Sequence, residues 1–127
     1  MSRHRLSKTT STLIDVPSIS AGGEAHTDLE LQTVQDIILT VRVTYHSSAT
    51  SGVRVYILAS QDGSSWDSEN VTDAYAYFEP SFQAGQTRQA TAVLTKTPPQ
   101  VRILVRNLDS SYPTGAVKAW VTLIPRG

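Results

Sequence analysis

Several features that this 127-residue sequence lacks limit what it can be. It has no cysteine, which excludes disulfide bonds and thiolate metal sites. No apolar run approaches the roughly 20 residues that a helix needs to cross a bilayer. Eleven basic residues balance eleven acidic residues, so no overall charge draws the chain towards nucleic acid or an anionic membrane.

The first twelve residues differ in composition from the remainder. They are basic and then rich in serine and threonine, with no acidic residue before Asp15. No apolar segment follows the basic start, so we expect no signal peptide and synthesis in a cytoplasm. Residues 1–12 are predicted to be either a flexible tail or an arm that orders against a neighbouring subunit. The basic residues of this arm are candidate partner contacts: Arg3, Arg5 and Lys8.

Alternation of apolar and polar residues dominates the rest of the chain. It is clearest where Val53, Val55 and Ile57 alternate with other residues, which gives a strand one buried face and one exposed face. About eight such strands at short spacing, with no credible long helix, predict an all-β protein with a single antiparallel β-sandwich over residues 13–127. We expect jelly-roll order, because the first and last strong strands both look central.

A turn follows that clearest strand. Asp62 and Gly63 are predicted to fix it, since glycine tolerates positive φ and aspartate bonds backbone amides. Trp66 is expected to hold the long loop beyond. The sequence of residues 60–66, Ser-Gln-Asp-Gly-Ser-Ser-Trp, resembles the Asp-box turn of sialidase-type propellers. Because it is one residue short and occurs once, the resemblance implies a turn and no sialidase activity.

Neither catalysis nor metal binding has a recognisable motif. The three histidines, His4, His26 and His46, have no nucleophile and carboxylate in a known arrangement, so we predict that the chain is not an enzyme and uses no cofactor. Oxygen-bearing side chains that could suit calcium cluster in one loop region, but their spacing does not match an EF-hand, and we expect them to be solvated. They are Asp62, Asp67, Glu69, Asn70 and Asp73.

Basic and aromatic side chains recur at positions predicted to face away from the core. Arginine, tyrosine and tryptophan are enriched at interface hot spots, which favours a protein partner. Such residues could also grip phosphate and stack bases, but the neutral charge balance argues against direct nucleic-acid binding. Leu58 and Leu104 share this parity, so part of the face is expected to be covered. The candidate interface comprises Arg42, Arg54, Tyr56, Arg102, Arg106, Lys118 and Trp120.

Four aromatic residues could form a platform on which sugars stack. They are Trp66, Tyr75, Tyr77 and Trp120. The alternative is that they pack in the core and at its rim, which needs no ligand. The sequence leaves both interpretations open.

Three local motifs, taken in order, resemble those of small β-sandwich proteins of tailed phages and prophages. Residues 60–67 give the Ser-x-Asp-Gly-x-x-Trp-Asp turn, residues 84–87 an Ala-Gly-Gln-Thr turn, and residues 101–109 a Val-Arg-x-x-Val-x-Asn-x-Asp strand end. The resemblance covers about residues 20–124 and implies a structural role in a virion, without a cofactor.

We therefore predict a non-enzymatic phage virion protein that forms a homo-oligomer, binds the major capsid protein or other virion proteins, and decorates the capsid. Its location would be the virion, with no membrane association. The alternative is a tail or baseplate module for carbohydrate binding or adhesion. Without the resemblance, a host-encoded soluble binding domain fits equally well.

Overall fold

The computed structural model describes residues 9–126 and contains eight β-strands in that range. No helix that could span a membrane occurs in this part of the chain. The strands are β1 (Thr9–Val16), β2 (Glu24–Glu30), β3 (Val34–Thr44), β4 (Val53–Ser60), β5 (Ala76–Phe78), β6 (Thr87–Thr95), β7 (Gln100–Asn107) and β8 (Val117–Pro125).

The strands form two antiparallel four-stranded sheets. The first sheet has the order β1-β8-β3-β6 and the second has the order β2-β7-β4-β5. The first and last strands are neighbours, with Thr10 opposite Thr122, so the chain ends meet in one sheet. This is the order of a jelly roll, and the predicted β-sandwich is confirmed.

The core fills the space between the sheets and uses alternate residues of each strand. Val53, Val55 and Ile57 of β4 are at most 1% exposed, as their alternation predicts. They face side chains of the other sheet that are buried to the same degree. That opposing set includes Ile37, Leu39, Val41, Val43, Val117, Ala119 and Val121. Burial of these two inner faces is the main stabilising contribution to the fold.

β1 and β5 have bounds that the sequence did not indicate. β1 begins at Thr9, within the segment predicted to be an arm, because it pairs with β8 from Thr9 onwards. β5 has only three residues. The chain leaves the sheet before Pro80, whose carbonyl accepts a hydrogen bond from the buried Tyr45 hydroxyl at 2.8 Å. Burial raises the pKa of Tyr45.

One end of the sandwich is held together by two polar residues, Asn107 and Asp109. The Asn107 amide nitrogen donates to the carbonyls of Ile19, Ser20 and Tyr112 at 2.9–3.3 Å. The Asp109 carboxylate accepts from four backbone N–H groups at 2.7–3.2 Å, two in the β3–β4 loop and two in its own loop. We call this pair the loop clasp, because it joins three loops.

Candidate functional site

The turn after β4 is built by its own polar side chains. Asp62 Oδ1 accepts hydrogen bonds from the backbone N–H groups of Ser65 and Ser64 at 2.7 and 2.8 Å. It also accepts from the Ser60 hydroxyl at 3.1 Å. These donors lower the pKa of Asp62 to about 2. Gly63 has a φ of 79°, which only glycine adopts without strain. Asp62 and Gly63 therefore shape the turn.

The loop carboxylates were candidate metal ligands, but each of them contacts a different partner. Asp67 accepts the N–H of Ala59 at 3.0 Å, and Glu69 pairs with Arg106. Asp73 accepts from the side chain of Asn70 at 3.0 Å. In residues 9–126 no three metal-ligating side chains converge.

The arginines on the outward face of the second sheet are all paired with carboxylates. Arg102 forms a bidentate pair with Asp28 on β2, at 2.7 and 3.0 Å. This contact lowers the pKa of Asp28. Arg54 bonds Glu79 at 2.6 Å, and Arg106 lies between Glu24 and Glu69. Carboxylates thus interleave with arginines here. This face is close to neutral.

The long β4–β5 loop covers part of this same face. Tyr56, Leu58 and Leu104 are at most 3% exposed and form a second small core, against which Trp66 and Ala74 pack. The Trp66 ring also lies 4.4 Å from the guanidinium carbon of Arg102. The loop is held to the sheet in this way. Tyr56, which the sequence places among the outward contacts, is not available to a partner.

The outward face of the first sheet has no such cover among the described residues. Its centre is Trp120 on β8, half-buried and flanked by Arg42 and Lys118, whose charged groups lie 4.9 and 5.3 Å from the ring centroid. Lys118 is 4.0 Å from Asp15. No carboxylate in residues 9–126 lies within ion-pair distance of Arg42. The two cations beside Trp120 are therefore freer than the arginines of the second sheet.

Hydroxyl groups surround Trp120 on this open face. Thr40 bonds Thr91 at 2.8 Å, and Thr10 bonds Thr122 at 3.0 Å. A shallow depression of about 310 Å³ adjoins the ring. Its lining comprises Thr10, Ile38, Thr40, Gln89, Trp120 and Thr122. An aromatic ring beside hydroxyl and amide groups can stack on a ligand and hydrogen bond to it.

The predicted interface is therefore divided between two faces on opposite sides of the sandwich. Arg54, Tyr56, Arg102 and Arg106 belong to the second sheet, and Arg42, Lys118 and Trp120 belong to the first. Side-chain parity predicts outward orientation, but it does not tell which sheet a strand joins. Arg3, Arg5 and Lys8 lie outside the described residues.

The aromatic residues proposed as a sugar platform are separated in the same way. Trp66 packs over the second sheet, whereas Trp120 lies on the first. Tyr75 and Tyr77, at 45% and 47% exposed, lie in and beside the short edge strand β5. Tyr77 is opposite Tyr56, and Arg54 lies 5.9 Å from its ring centroid. The four residues do not form one platform.

Sequence reasoning did not identify the loop clasp as a structural unit. Asn107 and Asp109 are 2% exposed, and the donors that surround Asp109 hold its pKa well below the ordinary range. The sequence pattern that could have indicated the clasp is the Asn-x-Asp pair at the end of β7. It was noted only as part of the resemblance to phage proteins. Its function is to fix the loops at one end of the sandwich.

Comparisons with known proteins identify structural relatives of low sequence identity. No known family profile and no curated protein matches the sequence. The PBSX exported protein XepA has a TM-score of 0.64 at 9% identity, over 94% of this chain and 38% of that chain. A chain of infectious bursal disease virus, Gx strain, gives 0.63 at 15% identity, over 98% and 33%. A protein of the Bacillus endospore appendages, a family of disulfide-linked pili, gives 0.52 at 11% identity, over 99% and 96%.

At identities of 9–15%, the TM-scores of 0.52–0.64 show a shared fold and nothing more. This chain spans 38% of the XepA chain and 33% of the viral chain, so it corresponds to one part of each. The appendage protein is matched over 96% of its length. The β-sandwich of this chain thus also occurs in a virus and in a spore appendage. This agrees with the predicted resemblance to virion proteins at the level of the fold.

Proposed function

We propose that this chain is a non-enzymatic structural protein of a phage particle and that it decorates the capsid. The observation that carries the proposal is the eight-stranded jelly roll, since 98% of this chain aligns with 33% of a chain of infectious bursal disease virus. The three phage-type motifs agree with it, and each forms a turn or strand end in the structure.

The non-enzymatic part of the proposal is supported by the surroundings of the histidines. His26 has Glu24 as its charged neighbour at 3.6 Å. His46 accepts a backbone N–H from Ser48 at 2.9 Å and stacks on Tyr112. Within residues 9–126, neither histidine is hydrogen-bonded to a hydroxyl group that it could activate as a general base.

The outward face of the first sheet is the proposed contact with the capsid. Trp120 is partly exposed at its centre, and Arg42 beside it has no carboxylate partner among the described residues. Tryptophan and arginine in such a position are the side chains that contribute most to interfaces. The arginines of the second sheet are paired with carboxylates, and Tyr56 is covered by the β4–β5 loop, so the centre of that face offers less to a partner.

The proposal is tested in two ways: by looking for the protein in phage particles from the strain that encodes this chain, and by a binding assay. Purified protein is added to expanded capsids that lack it, and bound protein is measured by co-sedimentation. We expect saturable binding that falls at least about tenfold in Trp120→Ala. Tyr77→Ala, which removes an exposed aromatic residue on the other side, is the control. Absence of the protein from particles, together with no binding to capsids, would refute the capsid role.

A second candidate function is carbohydrate binding at a tail or baseplate. The observation that favours it is the depression beside Trp120, which is lined by threonine hydroxyls and the Gln89 amide. On a glycan array, this function predicts binding that Trp120→Ala abolishes while the protein remains folded. Trp66→Ala should retain binding, because that ring packs on the opposite face.

A further inference from the structure

The two sheets of the sandwich end in four edge strands, and these differ in how they are protected. The edges are β1 and β6 in the first sheet, and β2 and β5 in the second. An edge strand presents unpaired N–H and C=O groups to which another chain can add a strand. Proteins usually block such edges with charges, bulges, proline or short length.

Three of the four edges carry such protection. β1 has a bulge between Thr12 and Ile14, and the Leu13 carbonyl there accepts a hydrogen bond from the Thr27 hydroxyl at 2.7 Å. β5 is only three residues long. β2 places ionisable side chains at every outward position, namely Glu24, His26, Asp28 and Glu30.

β6 has the least protection of the four, a single charge near its start. It runs for nine residues in unbroken register with β3, contains no proline, and has Arg88 as its single charge. Val93, near its end, is 62% exposed. No hydrogen bond from any other described residue reaches its outer edge. β6 is thus a long, regular edge that is open for pairing.

The hydrogen-bond pattern shows which residues point outwards. Tyr45 N–H donates to the Gln86 carbonyl at 2.9 Å, which makes that pair a hydrogen-bonded one. Since such pairs alternate along an antiparallel ladder, the N–H and C=O groups of Gln89, Thr91 and Val93 are directed to the open edge. Their side chains stand on the same outward face as Trp120, because Thr91, Thr40 and Trp120 are in one row.

We infer that β6 pairs with β6 of a second copy of this chain, antiparallel and about a two-fold axis. The partner is identified by self-complementarity. Full overlap of the nine residues places the axis at Thr91, with Gln89 opposite Val93 and Arg88 opposite Leu94. The two copies of Arg88 then lie roughly 20 Å apart, so they do not repel at close range. Two four-stranded sheets become one continuous sheet, and no unprotected edge remains.

This pairing refines the homo-oligomer that belongs to the proposed function, but it is tested on the purified chain alone. A dimer that fails to bind capsids would retain the pairing and refute the capsid role. Capsid binding by a monomeric protein would refute the pairing and retain the capsid role. The two results are therefore distinguishable.

The first experiment is sedimentation equilibrium of the full-length wild-type chain and two lysine variants. Thr91→Lys places two like charges directly opposite each other across the axis, and we expect it to weaken dimerisation at least about tenfold. Thr12→Lys puts the same charge in the same row at the opposite edge, on β1. It should leave the dimer intact. Thermal unfolding followed by circular dichroism checks that both variants fold.

The second experiment uses the absence of cysteine from the natural sequence. In Thr91→Cys the two thiols would meet at the axis, where opposed Cα atoms lie about 5.5 Å apart, within the range for a disulfide. We expect rapid formation of a covalent dimer on mild oxidation. Thr12→Cys should cross-link only at the slow rate of random collisions.

Several results would overturn the inference. A monomeric wild type, an open-ended series of larger species, or a dimer unaffected by Thr91→Lys would each do so. Dissociation by Thr12→Lys would place β1 at the contact and exclude the two-fold β6 pairing.

Discussion

At the scale of single residues, the polar groups that matter most bond to backbone amides in turns and loops. Asp62 shapes the turn after β4, and Asp109 collects four N–H groups from two loops. A carboxylate that accepts several such bonds is favoured in its ionised form. Both aspartates therefore link the shape of the chain to pH.

Acid should destabilise the protein through these carboxylates. The pKa of Asp62 is about 2 in the folded chain and about 3.9 in an unfolded one. Unfolding therefore takes up protons, so the stabilisation is complete above about pH 4 and is lost as pH falls towards 2. Asp62→Asn keeps an acceptor in the turn but does not titrate.

The measurement is the free energy of unfolding from urea titrations between about pH 6 and about pH 2, because this range spans both pKa values. The decrease towards acid should be smaller in Asp62→Asn than in the wild type. Asp73→Asn serves as the control, because the Asp73 carboxylate accepts a single exposed hydrogen bond from the side chain of Asn70. Equal pH dependence in all three proteins would contradict the expected role of Asp62.

At the scale of elements, β4 shows what sequence periodicity can and cannot predict. Its inward residues Val53, Val55 and Ile57 are buried as their alternation requires. Tyr56 and Leu58 are also buried, although they point outwards, because the β4–β5 loop and Trp66 lie over them. Alternation reports which face a side chain is on, but coverage by a distant loop is a tertiary property. The apolar character of Leu58 and Leu104 was the only sign of it.

Tyr56 and Tyr77 are opposite one another on β4 and β5 and should respond differently to truncation. Tyr56 is 3% exposed and Tyr77 is 47% exposed. Tyr56→Ala leaves a cavity in the second core and should cost about 3 kcal/mol in unfolding free energy. Tyr77→Ala should change it by less than about 0.5 kcal/mol.

Urea denaturation of the two variants beside the wild type measures this difference. The slope of each transition also shows whether the unfolded states are comparable. If the two tyrosines proved equally costly, the loop would not cover Tyr56 in solution.

At the scale of the whole molecule, the sandwich was predictable and the division of its surface was not. Short spacing of alternating strands and the absence of long helical patterns were sufficient for the fold class. Arg42 and Arg54 both occupy outward positions, yet they lie on opposite sides of the molecule. Which strands share a sheet depends on pairing between distant residues such as Thr10 and Thr122, and no local pattern encodes that. The residues of the candidate site could therefore be predicted, but not which of them lie on the same face.

If the chain decorates capsids, it should stabilise them by mass action. A protein that binds the assembled shell but not its dissociated subunits raises the melting temperature of the shell as its concentration increases. Differential scanning fluorimetry of expanded capsids should show this rise, with saturation at full occupancy. Trp120→Ala should shift the rise to higher concentration. A melting temperature independent of the added protein would contradict decoration.

The loop clasp has a kinetic consequence. Asn107 bonds Ile19 across 88 positions of sequence, and Asp109 bonds Thr50 across 59. Because contacts between such distant positions require loop closure, we expect them to form after the sheets have assembled and to be absent from the folding transition state. Asp109→Ala should then accelerate unfolding and leave the folding rate almost unchanged, as stopped-flow chevron plots would show. A reduced folding rate would instead place the clasp in the nucleus. The clasp is thus expected to set how long each molecule stays folded.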